Sequence, residues 1–239
     1  MSATTFLDFY KSDLQSVYLL CVVPLLFLAW LLFTGSTRAG AVDRATRFLF
    51  GYCVIFGVET ILDPVATGPL TRWLGVGDSA AGTAILLSFV LLGDFRVYLL
   101  LFRLAAIDRP LTHAVRAAAA WTLLVPVTAY AADRTLHAAV EGLPTETIWL
   151  IYELAFLAVA LWLRGSGIAA RMTQPDRPLQ ARLESIAGYV AIYYALWATA
   201  DVLTMVFGLD AGWALRVVPN QLYYAFFLPF VFARLSSRR

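Results

Sequence analysis

The sequence predicts an all-α, polytopic membrane protein: seven transmembrane helices with the N-terminus outside and the C-terminus in the cytoplasm. Three observations predict it. Apolar residues make up 61% of the 239-residue chain and charged residues only 14%, against about 45–50% and about 25% in soluble domains. The apolar residues gather into seven segments near the length of about 20 residues that crosses the hydrocarbon core. The arginines gather in alternate connections between those segments.

The segments fall at about 16–33, 47–62, 83–103, 114–131, 147–163, 186–207 and 215–234. The first opens the chain's apolar pattern and stays in the protein. Asp8, Lys11 and Asp13 precede it in place of a basic signal-peptide start, and no small-residue cleavage site follows. The second is short, and Glu59 and Asp63 blur its end. The fourth opens on the weakly hydrophobic run Ala114 to Trp121. The third, fifth, sixth and seventh are apolar over a full span but carry isolated polar groups.

Orientation follows from the connections. The stretches 34–47, 103–116, 164–183 and 234–239 hold thirteen arginines, Arg38 and the pair Arg238 and Arg239 among them. The opposite set holds only Lys11, Arg72, Arg134 and Arg216 and is rich in acids: Asp8, Asp13, Asp63, Asp78, Asp133, Glu141, Glu146 and Asp210. Basic residues are retained on the cytoplasmic side, so this asymmetry gives N-out and C-in. It places the chain in a bacterial cytoplasmic (inner) membrane, with the lipid bilayer as its first partner.

Several classes are excluded. A net charge of +2 with no dense basic run gives nothing to track phosphates, so nucleic acid is not a partner. No cofactor is expected. The only lysine, Lys11, lies outside the first span, which leaves no amine for a retinal Schiff base. His113 and His137 fall in connections on opposite sides, so neither haem nor zinc finds its ligands. The same histidines leave a His-dependent serine hydrolase without its base. Cys21 and Cys53 sit inside apolar runs and read as small buried residues.

The chain repeats itself. Trp30 matches Trp162, Asp43-Arg44 matches Asp176-Arg177, Gly51-Tyr52 matches Gly188-Tyr189, and Arg103 matches Arg234, in one order and at offsets of about 131 to 137 residues. The reading is one domain, 1–239, made of a first triplet (1–103), a linking fourth helix (104–144) and a second triplet (145–239). A single linking span returns the second triplet to the same orientation, so the repeat is parallel about the membrane normal. This plan resembles the SWEET and PQ-loop transporters, which run three-one-three, N-out and C-in. The resemblance extends to Pro219-Asn220 in the last span, where those carriers place a proline-asparagine pair. The third span has no matching asparagine, and neither the first nor the fifth shows a PQ pair. The resemblance implies transport of a small polar solute.

A second resemblance rests on Ser88 to Asp94, which looks like the Gly-Asp helix of the lysoplasmalogenase-type membrane hydrolases, and on Ala198 to Asp201, which resembles their second aspartate helix. It implies aspartates acting on a lipid head group. The spacing before Gly93-Asp94 differs by one residue, and the histidine-and-tyrosine helix expected after it is missing.

Five ionisable residues lie at membrane depth: Glu59, Asp94, Arg96, Glu153 and Asp201. Each costs at least about 2.5–3.5 kcal/mol on insertion scales, so each faces the bundle or a wet cavity. Glu59 and Asp201 fall in the outer third of the second and sixth spans, Asp94 and Glu153 nearer the midplane. Helical spacing puts Glu59 with Tyr52, Phe56 and Asp63, Asp201 with Tyr194, Trp197 and Thr204, and Asn220 with Tyr223, Tyr224 and Phe227. The candidate solute site is an acidic, aromatic-lined cavity open to the outside, built from Glu59, Asp94, Tyr194, Trp197, Asp201, Asn220 and Tyr224. Arg96 and Glu153 are candidates for an ion pair or for coupling. Against these stand plainer readings: a protonated Glu153 bonded to a neighbouring helix, Arg96 reaching the cytoplasmic surface, tyrosines of an interfacial belt, and Asp63 beside Pro64 as a solvated helix end.

The function expected is a small transporter or solute-binding bundle for a small polar or cationic solute or a lipid, coupled to protons through a carboxylate. It is not an enzyme on this reading. An aspartate-dependent intramembrane lipid hydrolase is the alternative, and a receptor or sensor without chemistry is the third class. An oligomer of identical chains is compatible with the sequence.

Overall fold

A computed structural model of the chain describes residues 5–35, 43–77 and 79–236. Arg38, Asp78, Arg238 and Arg239, counted above for orientation, lie outside the described residues. Those described are helical or in short connections, with no strand among them. Six helices are long and apolar enough to cross a membrane: α1 (Leu14–Thr34), α2 (Arg44–Trp73), α3 (Ala80–Ala105), α4 (Leu111–Ala139), α5 (Thr147–Gly167) and α6 (Arg177–Met205). A further helical run, α7, covers residues 211–236. It is less apolar than the six because Arg216, Asn220, Gln221 and two tyrosines interrupt it.

The helices outrun the apolar windows because their ends are set by caps rather than by hydropathy. Asp43 accepts from the Thr46 N–H (2.8 Å) and starts α2 before its apolar window, and Asp176 does the same for α6 through Leu179 (2.9 Å). Ser79 opens α3 by accepting from Gly82. Side-chain oxygens at these positions satisfy backbone donors that have no partner inside the helix. His113 and His137, expected in loops, lie at the two ends of α4, because that helix extends well past its weak apolar stretch.

The helices pack in chain order: α1 on α2, α2 on α3, α3 on α4, α4 on α5, α5 on α6 and α6 on α7. The ring closes where α7 packs on α1 and α2, and α3 also touches α6. α4 bridges α3 and α5 and turns Leu123, Leu124, Val127 and Tyr130 outward. Leu25, Leu26 and Phe33 of α1 are exposed in the same way. Such surface is stable against lipid and not against water.

Two helices widen into π turns just after a proline. Pro64 precedes the turn Ala66–Leu70 in α2, and Pro219 precedes Gln221–Phe226 in α7. Proline offers no N–H to the helix, and a wider turn re-routes the bonding around it. In α7 the loosened backbone is met from outside. Tyr189 donates to the Leu222 carbonyl (2.8 Å), and Arg96 donates to the Tyr223 carbonyl (2.8 Å).

A short N-terminal helix, Phe6–Lys11, precedes α1 and packs on the start of α7. Its Phe6 N–H donates to Asp210 (2.8 Å), and the Tyr10 ring lies 5.3 Å from that of Trp213.

Candidate functional site

The two widened turns border a cavity of about 340 Å³. It lies at the end of the bundle where α1, α5 and α7 begin and α2 and α6 finish. All helices but α4 contribute to its wall. Thr67 comes from the first wide turn and Pro64 stands just before it; Tyr223 and Tyr224 come from the second.

Asp94 sits in this wall and is 1% exposed. The Tyr194 hydroxyl donates to its Oδ1 at 2.6 Å, while its Oδ2 has no hydrogen-bond partner. Gly93, one residue earlier, is where the Tyr223 hydroxyl comes to rest. A Cβ there would collide with that oxygen and lie 2.7 Å from the ring carbon Cζ. The absent side chain lets Tyr223 seat beside Asp94, and the ring then meets Trp197 at a tilt (5.3 Å) and Tyr193 edge-on (5.6 Å). Tyr194 in turn stacks on Phe156 at 4.4 Å.

A second cluster closes one side. Arg216 donates from Nε to Asp201 Oδ1 (2.7 Å) and from Nη2 to Glu153 Oε1 (3.2 Å). The two carboxyl groups also touch each other. Close approach of α6 and α7 makes this reachable. At Gly212 a Cβ would lie 2.5 Å from Thr204 Cγ2 and 2.7 Å from the Ala200 carbonyl, so only glycine permits the contact. Arg216 follows one turn later and Asp201 precedes Thr204 by nearly one. Glu153 and Arg216 line the cavity; Asp201 lies behind them. A further expectation is corrected here. Arg216, counted with the outer connections, is partly buried and held by two acids. Glu153, on α5, meets Asp201 of α6 and shares Arg216 with it.

Arg96 is the third correction. It does not reach a membrane surface; it is 1% exposed and bound inside the bundle. It donates to Thr60 Oγ1 (2.6 Å) and to Glu59 Oε2 (3.4 Å) on α2 and to the Tyr223 carbonyl on α7. Its guanidinium lies 4.3 Å from the Tyr223 ring centroid and 5.0 Å from that of Phe227. The reason is geometric: two residues beyond Asp94, it points roughly 200° away around α3, toward α2 and α7. Glu59 is thereby engaged and is absent from the cavity wall. Asp63, expected to be solvated, is 3% exposed and bonded to Tyr224 and Thr67. The helix does not end at Pro64 but continues through the wide turn, which keeps Asp63 inside.

Of the residues expected to form a solute site, Asp94, Tyr194, Trp197, Asn220 and Tyr224 line one cavity, and Glu59 and Asp201 stand outside it, each held by an arginine. Asn220 accepts from Trp197 Nε1 (2.9 Å) and donates to the Tyr10 hydroxyl (3.4 Å), which brings the N-terminal helix to the same wall. Sequence reading missed Gln15, Tyr152 and Arg216. Gln15 and Arg216 each stand near the start of a span, and that place reads as interfacial. No protein-family model, curated protein or solved structure matches the chain.

Proposed function

We propose that the chain is a small membrane transporter that takes a polar solute into the cavity between its helices. On this reading α7 is the seventh span, the arginine-poor connections face outward, and the cavity opens toward the outer side of a cytoplasmic membrane. The observation that carries the reading is the cavity's polar wall. Among the lining residues Asp94 Oδ2, Glu153 Oε2, Gln15 Nε2 and the Tyr152 hydroxyl are buried without a hydrogen-bond partner. A buried polar atom left unmet costs about 1–3 kcal/mol, so a wall that keeps four such atoms fits a site whose partner arrives from solution. A cavity of this size suits a small solute.

Helix order supports the same reading. α1 to α3 and α5 to α7 pack as successive neighbours with α4 between them, which suits two parallel triplets moving against each other about a central site. In Pro219-Asn220, the pair that resembles the SWEET carriers, Asn220 lines the cavity and opens the wide turn of α7.

The test is uptake of radiolabelled small solutes into proteoliposomes, comparing wild type with Trp197→Ala and Asn220→Leu. Saturable uptake that both substitutions reduce at least about tenfold is expected, with the protein still folded in detergent. No uptake of any solute class, together with head-group release from lipid by the purified protein, would replace the transporter with the aspartate-dependent hydrolase.

A further inference from the structure

Asp94 is a buried carboxyl group that no cation among the described residues pairs. Tyr194 meets one oxygen, and the other, in a side chain that lines the cavity, has no hydrogen-bond partner. Among the described residues no cation forms an ion pair with it. Arg96 is turned to Glu59, Thr60 and the Tyr223 carbonyl. Arg216 is turned to Asp201 and Glu153. A buried carboxylate needs a counter-charge or a proton donor at its open oxygen. The wall that Asp94 shares is aromatic: Tyr194, Trp197 and Tyr223 line the same cavity and contact one another edge-on or tilted, Tyr194–Trp197 at 5.4 Å and Trp197–Tyr223 at 5.3 Å. Aromatic faces attract cations and offer nothing to anions. The guanidinium nitrogens Nε and Nη2 that would recognise an anionic group are already occupied by two acids.

We propose that the solute is a small organic cation with at least one N–H, seated with its ammonium on Asp94 Oδ2 and its carbon frame against Tyr194, Trp197 and Tyr223. This rests on the cavity being a solute site at all. The rest of the wall fits a second polar group, since Glu153 Oε2, Gln15 Nε2 and the Tyr152 hydroxyl belong to lining residues and are buried without partners. An amino alcohol or a short diamine has the right two ends. A neutral polyol would leave the Asp94 charge buried and unmet. A quaternary ammonium would keep the aromatic contact but offer no hydrogen for Oδ2.

The test is binding to the full-length protein in nanodiscs, read by calorimetry with five probes: ethylammonium, 1,4-diaminobutane, tetramethylammonium, propionate and glycerol. Ethylammonium and 1,4-diaminobutane should bind, tetramethylammonium at least about tenfold more weakly, and propionate and glycerol not measurably, since a hydrogen bond to a charged group is worth about that factor or more. Asp94→Asn keeps the side chain's shape and should remove the preference for the ammonium probes. Glu153→Gln should weaken 1,4-diaminobutane but spare ethylammonium. Thermal unfolding in detergent confirms that each variant is folded; if Asp94→Asn is not, Asp94→Glu serves, and should retain the ammonium preference. Binding of propionate or glycerol above the ammonium probes, or unchanged ammonium binding by Asp94→Asn, overturns the cation while leaving the cavity a solute site. Failure of all five probes on folded wild-type protein overturns the site itself.

Discussion

Arg96 grips Tyr223 at two points, donating to its carbonyl oxygen at 2.8 Å and lying 4.3 Å from the centre of its ring. The hold joins α3 to α7 at the wide turn, and the same guanidinium reaches Glu59 and Thr60 on α2. Removing one partner of a buried ion pair costs about 3–5 kcal/mol because the other charge is left alone. Arg96→Leu should therefore lower the melting temperature in detergent sharply. Arg96→Leu combined with Glu59→Gln should recover part of the loss. Arg96→Lys should rescue poorly, since an ammonium cannot bridge three partners in one plane. A wild-type melting curve for Arg96→Leu would remove the cluster from the account of stability.

Gly93→Ala should unseat Tyr223, because the new methyl takes the place of the tyrosine hydroxyl. Overpacking of this kind costs about 1–3 kcal/mol. Tyr223→Phe in the same chain should restore part of the stability, not all, as the ring carbon Cζ still lies 2.7 Å from the added atom. Thermal unfolding of the single and double variants measures the coupling. Strict additivity of the two changes would show that the residues do not meet.

Arg216→Gln should leave Glu153 and Asp201 facing each other with no cation between them. The expected loss is again about 3–5 kcal/mol. Adding Glu153→Gln should return much of it, because one charge then disappears. The readout is melting in detergent at low and high salt. Recovery by salt alone would mean that the pair is solvated and weaker than its burial implies.

Cysteine at Ser166 should react with a membrane-impermeant maleimide only from the cytoplasm, and cysteine at Ser79 only from outside. The native Cys21 and Cys53 are buried and do not interfere. Labelling of Ser79→Cys from the cytoplasmic side would reverse the orientation that the arginines indicate, and with it the side on which the cavity opens.

The existence of the apolar helices was legible because lipid demands long apolar runs, and six of the seven segments return as helices apolar enough to span. Their ends were less legible. Asp43 and Asp176 start helices from outside the apolar window, and the turn after Pro64 carries α2 on to Trp73. The aromatic side of the cavity followed from helical spacing, which put Tyr194 with Trp197 and Asn220 with Tyr223. The ion pairs did not follow. Arg216 meets acids 15 and 63 residues away on two other helices, and no periodicity within one helix encodes which neighbour it will face. For Arg96 the sequence left two readings, an ion pair and the cytoplasmic surface, for the same reason: a lone arginine looks the same in sequence whether it reaches for water or for Glu59.

Both arginine clusters share an order along the chain. Glu59 precedes Arg96, and Glu153 and Asp201 precede Arg216. Ribosomes deliver the chain from its N-terminus, so in each cluster the acids enter the bilayer first and the arginine last. A carboxylic acid can enter lipid neutral by carrying a proton, whereas a guanidinium stays charged at any cellular pH. Each arginine therefore arrives to find its carboxyl partner already in place, ready to give up its proton and pair. α7, made after α1 to α6, also completes the Glu153–Asp201 cluster and, through Tyr223, the one around Arg96, so assembly of the bundle's polar interior waits until α7 has followed the other six helices out of the ribosome.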